Sequence, residues 1–102
     1  MADKLHAVFI FIAGGADPKT CRGTVDTPGV CLESVGVSSY EQAAEVAKEM
    51  LEKGVGAIEL CGGFGVRGTD IVAKAVDYKI PVGVVRFDIH PGLGFKSGDA
   101  IF

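Results

Sequence analysis

Apolar residues along this chain gather into four compact runs, and from the second run onward a helix-spaced pattern separates each run from the next. The first run, His6 to Ala13 ("H-A-V-F-I-F-I-A"), is continuous and rich in β-branched and aromatic residues. It predicts a strand covered on both faces, in the middle of a sheet. Val30 to Val37 ("V-C-L-E-S-V-G-V") predicts a second strand, and Glu33 with Ser34 interrupts it as expected nearer an edge. Between the two lies Gly14 to Gly29, punctuated by Pro18 and Pro28 and without a usable period. It reads as a long loop, of the kind that is often functional or mobile.

Ser38 and Glu41 have capping-box spacing, and Tyr40, Ala43, Ala44, Ala47, Met50 and Leu51 form one apolar stripe, which predicts a helix closed by Gly54. Gly56 to Cys61 ("G-A-I-E-L-C") is the third strand. A glycine-rich loop follows, and then a shorter helix from Thr69 to Asp77 with Ile71, Val72, Ala75 and Val76 facing inward and Asp70 paired with Lys74 outside. Pro81 can begin but not continue a central strand, and it introduces the fourth, Val82 to Phe87. Helices serving as crossovers between strands imply βαβ units. The expected fold is therefore α/β: a single domain with a mostly parallel four-stranded sheet and two main helices, a βαβαβ core plus an additional N-terminal strand whose direction stays open.

Composition narrows the picture in three respects. A chain of 102 residues that is 48% hydrophobic and 23% charged is one domain. Such a domain buries roughly two thirds of its unfolded surface and keeps little for the walls of a deep pocket, so association into a homo-oligomer is expected. The net charge of -3, a pI near 5.2 and the scatter of ten Lys and Arg residues exclude nucleic acid as a partner. No run reaches the roughly 18 apolar residues of a membrane span, so no membrane partner is expected either. Cys21, Cys31 and Cys61 are odd in number and lack metal-type spacing, which predicts neither a disulfide framework nor a zinc site and favours the cytoplasm. Lys4 and the run after it have some features of a secretory leader, but Asp3 spoils its basic start.

The loop "C-G-G-F-G-V-R-G-T-D", Cys61 to Asp70, carries the candidate chemistry. Gly63, Gly65 and Gly68 satisfy G-x-G-x-x-G between a strand and a helix, and Asp88 follows Gly68 by about the interval at which a dinucleotide site keeps its ribose-binding acid. The chain length and Glu59 in the leading strand oppose a nucleotide. A smaller anion could still take bare amides from Gly62 to Gly68 and the positive charge of Arg67. The same glycines could equally make a structural turn. Ligands of open parallel sheets bind outside the carboxyl ends of the strands, where the loops after the first, third and fourth strands would gather Asp17, Cys61, Arg67, Asp88 and His90.

Cys61 and His90 could there form a thiolate–imidazole pair, against the alternative of an inert buried cysteine. Asp88 and His90 could share a metal, but no spacing singles out a third ligand among Cys61, His6 and Asp17, so no metal site is expected. Glu59 and Arg86, charges inside otherwise apolar strands, read as a buried structural pair or, if reached by solvent, as an acid–base group and an anion clamp. The residues name no cofactor.

"F-I-F-I-A", "A-I-E-L-C-G-G-F-G" and "I-P-V-G-V-V-R-F-D-I-H-P-G" resemble stretches of a small prokaryotic α/β family of chains of this length that has no assigned function. That resemblance implies a cytoplasmic α/β domain and carries over no catalytic residue. A more distant likeness links "E-K-G-V-G-A-I-E-L" and "I-P-V-G-V-V" to the βα units of TIM-barrel lyases and isomerases, which bind phosphate or carboxylate at the ends of their strands. The leading functional expectation is a small-molecule site for an anionic metabolite, in a small lyase, isomerase or hydrolase. The competing expectation is a non-catalytic oligomerisation or partner-binding module whose glycines serve packing alone.

Overall fold

The computed structural model describes residues 4–102, so Asp3 lies outside the described residues. The chain runs β1 (Leu5–Ile12), β2 (Arg22–Asp26), β3 (Val30–Val37), α1 (Tyr40–Glu52), β4 (Ala57–Leu60), α2 (Val66–Ala75) and β5 (Val82–Val84), and ends in two 3-10 turns, Pro91–Leu93 and Gly98–Ala100. The sheet has five strands in the order β2-β3-β1-β4-β5. β1, β3, β4 and β5 are mutually parallel, with Ile10 opposite both Val35 and Leu60, and Leu60 opposite Val84. The α/β class, the largely parallel sheet, the two helices and the central place of the first strand are as the pattern predicts.

The fifth strand is the correction. Arg22–Asp26 ("R-G-T-V-D") lies inside the stretch expected to be loop and pairs antiparallel with β3 at the edge. Only Val25 in it is a large apolar residue, because an edge strand with one solvated face needs no apolar run. Arg22 clamps this edge to α1, donating to Glu49 at 2.7 and 2.8 Å and to Glu33 at 3.3 Å. The Arg22 hydrogen bonds hold the Glu49 carboxyl down at about 2 against some burial, and Lys53 helps.

Helix boundaries also shift for identifiable reasons. α1 is capped by Ser39, whose hydroxyl accepts from Gln42 N at 3.1 Å, while Ser38 N donates to the Gln42 side chain at 2.8 Å. The box is thus Ser39 with Gln42, one residue later than the Ser38–Glu41 spacing suggests. Gly54 ends the helix as expected: its φ is +79°, Val55 N bonds Met50 O, and Gly54 N bonds Leu51 O. α2 starts at Val66, inside the glycine loop, instead of at Thr69. β5 is shorter than the run Val82 to Phe87.

Both helices cover one face of the sheet. Val8, Ile10, Ile12, Val35, Val37, Ile58 and Leu60 point to that face and pack with Tyr40, Ala43, Val46, Ala47, Met50, Phe64 and Val72 into the core. By alternation Leu5, Phe9, Phe11, Val25, Leu32 and Glu59 point to the other face. Among the described residues no helix lies over it. Phe9 and Phe11 are half-buried and stack at 6.4 Å, while Leu5, Val25 and Val85 are exposed. No helix is long and apolar enough to cross a membrane.

Candidate functional site

The glycine loop follows β4 at the carboxyl edge of the sheet, where β1 and β5 also end. Gly65, the residue before α2, offers no side chain to cap that helix. The cap comes from the far end of the chain. Asp99 accepts from Arg67 N at 2.9 Å and from Gly68 N at 3.2 Å, and the Tyr40 hydroxyl donates to the same carboxylate at 3.0 Å. Tyr40 oxygen accepts in turn from Gly65 N at 3.1 Å. This supplied cap explains why α2 begins three residues early: orphan amides of the first turn are satisfied by a carboxylate that favours a helix N-terminus. Burial pushes the Asp99 carboxyl up, but the Arg67 amide, the Tyr40 hydroxyl and the Gly68 amide together hold it below its ordinary value. Burial also raises the Tyr40 hydroxyl, against the pull of the Gly65 amide.

Arg67, expected to meet a ligand, is spent on the tail. Its guanidinium donates to the carbonyls of Asp99 and Phe102 and lies 4.9 Å from the centre of the Tyr40 ring. Phe102 packs on the same ring at 6.0 Å, so the apolar chain end docks on its own core. Two further loop amides are spent as well: Gly63 N donates to Cys61 Sγ at 3.3 Å and Phe64 N to Cys61 O at 3.0 Å.

None of Gly62, Gly63, Gly65 and Gly68 has a left-handed φ. They are needed for space. A Cβ at Gly62 would strike the Phe87 ring, at Gly65 the Asp99 carboxylate, and at Gly68 the Tyr40 ring, while one at Gly63 would lie 2.5 Å from Ile12 Cγ2. Gly98 in the tail is set just as closely against the Gly63 carbonyl. Of the glycines in the spacing that resembles a phosphate loop, Gly65 makes room for Asp99, Gly68 for the Tyr40 ring and Gly63 for Ile12.

The other candidates divide among three places. Phe87 rests on Gly62 and its ring lies 4.8 Å from that of His90, which puts His90 on the same rim as the loop. His90 Nδ1 accepts from Gly92 N at 2.9 Å, leaving Nε2 to carry the proton of the neutral ring. Cys61 is half-buried, and its sulfur accepts from Ile12 N as well as Gly63 N, both at 3.3 Å. Asp88 accepts from Arg86 at 2.9 Å, with both side chains exposed.

Arg86 and Glu59 are thus not a buried pair. Glu59 faces Gly83 in register, whereas Arg86 lies two residues beyond the end of β5 and bonds Asp88 instead. Glu59 is exposed on the open sheet face, next to Phe9. Asp17 is elsewhere: with Lys19, Arg22, Gln42, Glu45 and Glu49 it lines a groove between the β1–β2 loop and α1. Among the described residues no three of His, Cys, Asp and Glu gather as a metal would require.

At the rim itself, the cleft between the start of α2 and β5, lined by Phe64, Gly65, Val84, Phe87 and Ser97 among others, holds about 70 Å³. Metabolite pockets run from about 300 Å³ upward, and this one has room for a water or two. Sequence reasoning missed Tyr40 and Asp99 as the residues that close the loop. Tyr40 fitted the apolar stripe of α1, and Asp99 sits in "S-G-D", a turn-like stretch that says nothing of a partner over thirty residues away.

The model of DUF6506, a family of unknown function, matches residues 5–100. The chain belongs to that family. No curated protein and no solved structure matches it. The DUF6506 span includes Tyr40, the glycine loop and Asp99 and stops before Phe102. Membership bears out the family resemblance carried by "E-L-C-G-G-F-G" and brings no activity with it. The distant TIM-barrel likeness finds no support in the DUF6506 chain, whose sheet is open, with free edges at β2 and β5.

Proposed function

We propose that this domain is a non-catalytic self-assembling module, in which a second copy covers the open face of the sheet and the glycine loop serves only to seat the tail. The uncovered apolar face carries this reading. Parallel sheets are nearly always covered on both faces, since their strands are apolar on both. Among the described residues no second layer covers Leu5, Phe9, Phe11, Val25, Leu32 and Val85.

A second copy fits this face in size and in polarity. Strands of 8, 5, 8, 4 and 3 residues, rising about 3.3 Å per residue and set about 4.8 Å apart, give a footprint of roughly 450 Å² per copy, which brings a pair close to the roughly 1,000 Å² of a specific interface. Phe9 stands in register between Glu59 on β4 and Ser34 on β3. The face therefore has an acceptor on one side of its central ring and a hydroxyl donor on the other, so a two-fold rotation along β1 brings each over its complement. A shallow trough of about 360 Å³ bordered by Phe9, Glu59, Gly83 and Val85 offers room for an incoming side chain. The three free cysteines support a cytoplasmic setting for the assembly.

The anionic-metabolite expectation loses ground to this reading because the amides of Gly63, Gly65, Arg67 and Gly68 are bonded to Cys61, Tyr40 and Asp99, and the Arg67 side chain to the tail. Analytical ultracentrifugation separates the two. The parent is expected to sediment well above the 10.6 kDa of one chain, and Phe9→Glu and Val25→Lys to lower that mass while keeping the parent's circular dichroism. A parent that stays at single-chain mass at high micromolar concentration overturns the proposal. Thermal stabilisation by phosphorylated or carboxylated metabolites that vanishes in Arg67→Ala would restore the metabolite reading in its place.

A further inference from the structure

The outer edge of β5 is a free edge of the sheet that stands apart from the open face. Ile58 N donates to Pro81 O at 3.0 Å and Val85 N to Leu60 O at 3.1 Å, so the odd-numbered residues of this segment turn their backbone groups toward β4. Val82 and Val84 consequently turn N–H and C=O outward, away from the sheet. Pro81, which has no N–H, costs nothing on that side, because its backbone also faces β4.

The two sheet edges are treated very differently. β2 has Arg22 and Asp26 at its ends, held by Glu33, Glu49 and Lys4, which is how edges are commonly kept from pairing with other chains. β5 itself reads "V-G-V" without a charge; beyond it Val85, 53% exposed, and Phe87, 43%, alternate with Arg86, whose charge is paired with Asp88 past the end of the strand.

We infer that β5 pairs antiparallel with β5 of a second copy about a two-fold axis through Gly83, joining two five-stranded sheets into one. The sequence is symmetric about that glycine. Val82 of each copy comes opposite Val84 of the other, and each such pair exchanges both of its N–H···O bonds. Gly83 meets Gly83 as the pair without hydrogen bonds, where side chains come closest, and it has no neighbouring atom within 4 Å of where a Cβ would be. An edge pairing of this kind is isologous and closes at two copies.

The inference names a further contact within the self-assembly proposed above, and its test is read separately. In Phe9→Glu, where the face contact is broken, the edge contact leaves a species of two chains. Val82 and Val84 amides, free in a single chain, then exchange with deuterium at least about tenfold more slowly than unbonded exposed amides. Adding Val84→Pro removes only a donor that the ladder to β4 does not use, and it should return both the mass and the Val82 amide to single-chain behaviour. Val82 and Val84 amides that exchange freely in both the parent and Phe9→Glu overturn the edge contact while leaving the face contact standing. A Val84→Pro variant of Phe9→Glu that keeps the two-chain mass overturns it as well.

Discussion

The rim that holds the glycine loop and the edge that holds β5 make opposite use of their backbone groups. At the rim, the amides of Gly63, Gly65, Arg67 and Gly68 are each satisfied by the chain's own Cys61, Tyr40 or Asp99. At β5, the outward groups of Val82 and Val84 face away from the sheet. The rim has the residues usually associated with ligand binding, glycines, an arginine and an aspartate, and the edge has only valines and a glycine. Motif composition thus points to one region and unspent bonding capacity to the other. Binding follows the groups left over after folding, because an amide already bonded to a carboxylate has little to offer a second acceptor.

That contrast can be broken most forcefully at Gly68. Alanine there sets its methyl group against the Tyr40 ring, and because the ring is fixed in the core the variant should lose about 1–3 kcal/mol in urea unfolding, despite the better helix propensity of alanine. If Gly68→Ala equals or exceeds the parent in stability, the glycine is not there for the ring. Asp99→Ala removes the cap without crowding anything. A loss of about 1–2 kcal/mol is expected, together with faster amide exchange at Arg67 and Gly68 and an unchanged sedimenting mass. A change in mass would tie the tail to assembly and erase the distinction between the two regions.

The smallest effect is in acid. The Asp99 carboxyl lies below its ordinary value in the folded chain, so its contribution is complete above that ordinary value and is lost as the pH falls through the folded one. Glu49 adds a loss of the same sign, between its unperturbed 4.5 and about 2. The difference between parent and Asp99→Asn in pH-dependent thermal unfolding therefore isolates the tail: the parent should lose its advantage only in this acidic range. A constant difference down to the lowest pH would mean that the charge on Asp99 plays no part in the cap.

How far each feature was legible follows from the distance over which its cause acts. The apolar stripe of α1 and its closure at Gly54, the β3 span and the Asp70–Lys74 pair, bonded at 2.8 Å, depend on neighbours within a few positions and could be read from spacing, although the α1 cap lies one residue later than expected. β2 escaped notice because an edge strand stabilised by pairing and by Arg22 needs no apolar alternation. Among the candidate site residues, Cys61 and His90 do share the rim, while Asp17 and Glu59 lie on other surfaces and Arg86 turns to Asp88.

The order of apolar runs and helix-spaced stripes is enough by itself to dictate an α/β domain with a parallel sheet, since burial of one stripe per helix and of whole runs per strand leaves few other arrangements. Which glycines touch what was settled only when the chain end returned to the start of α2. Tyr40, Gly68 and Asp99 are far apart in sequence, and no local pattern constrains groups whose bonds form only after the core has brought them together. The same holds for the bare sheet face and the β5 edge: a strand's period tells which residues share a face, but only the placement of both helices on one side decides which face is left uncovered.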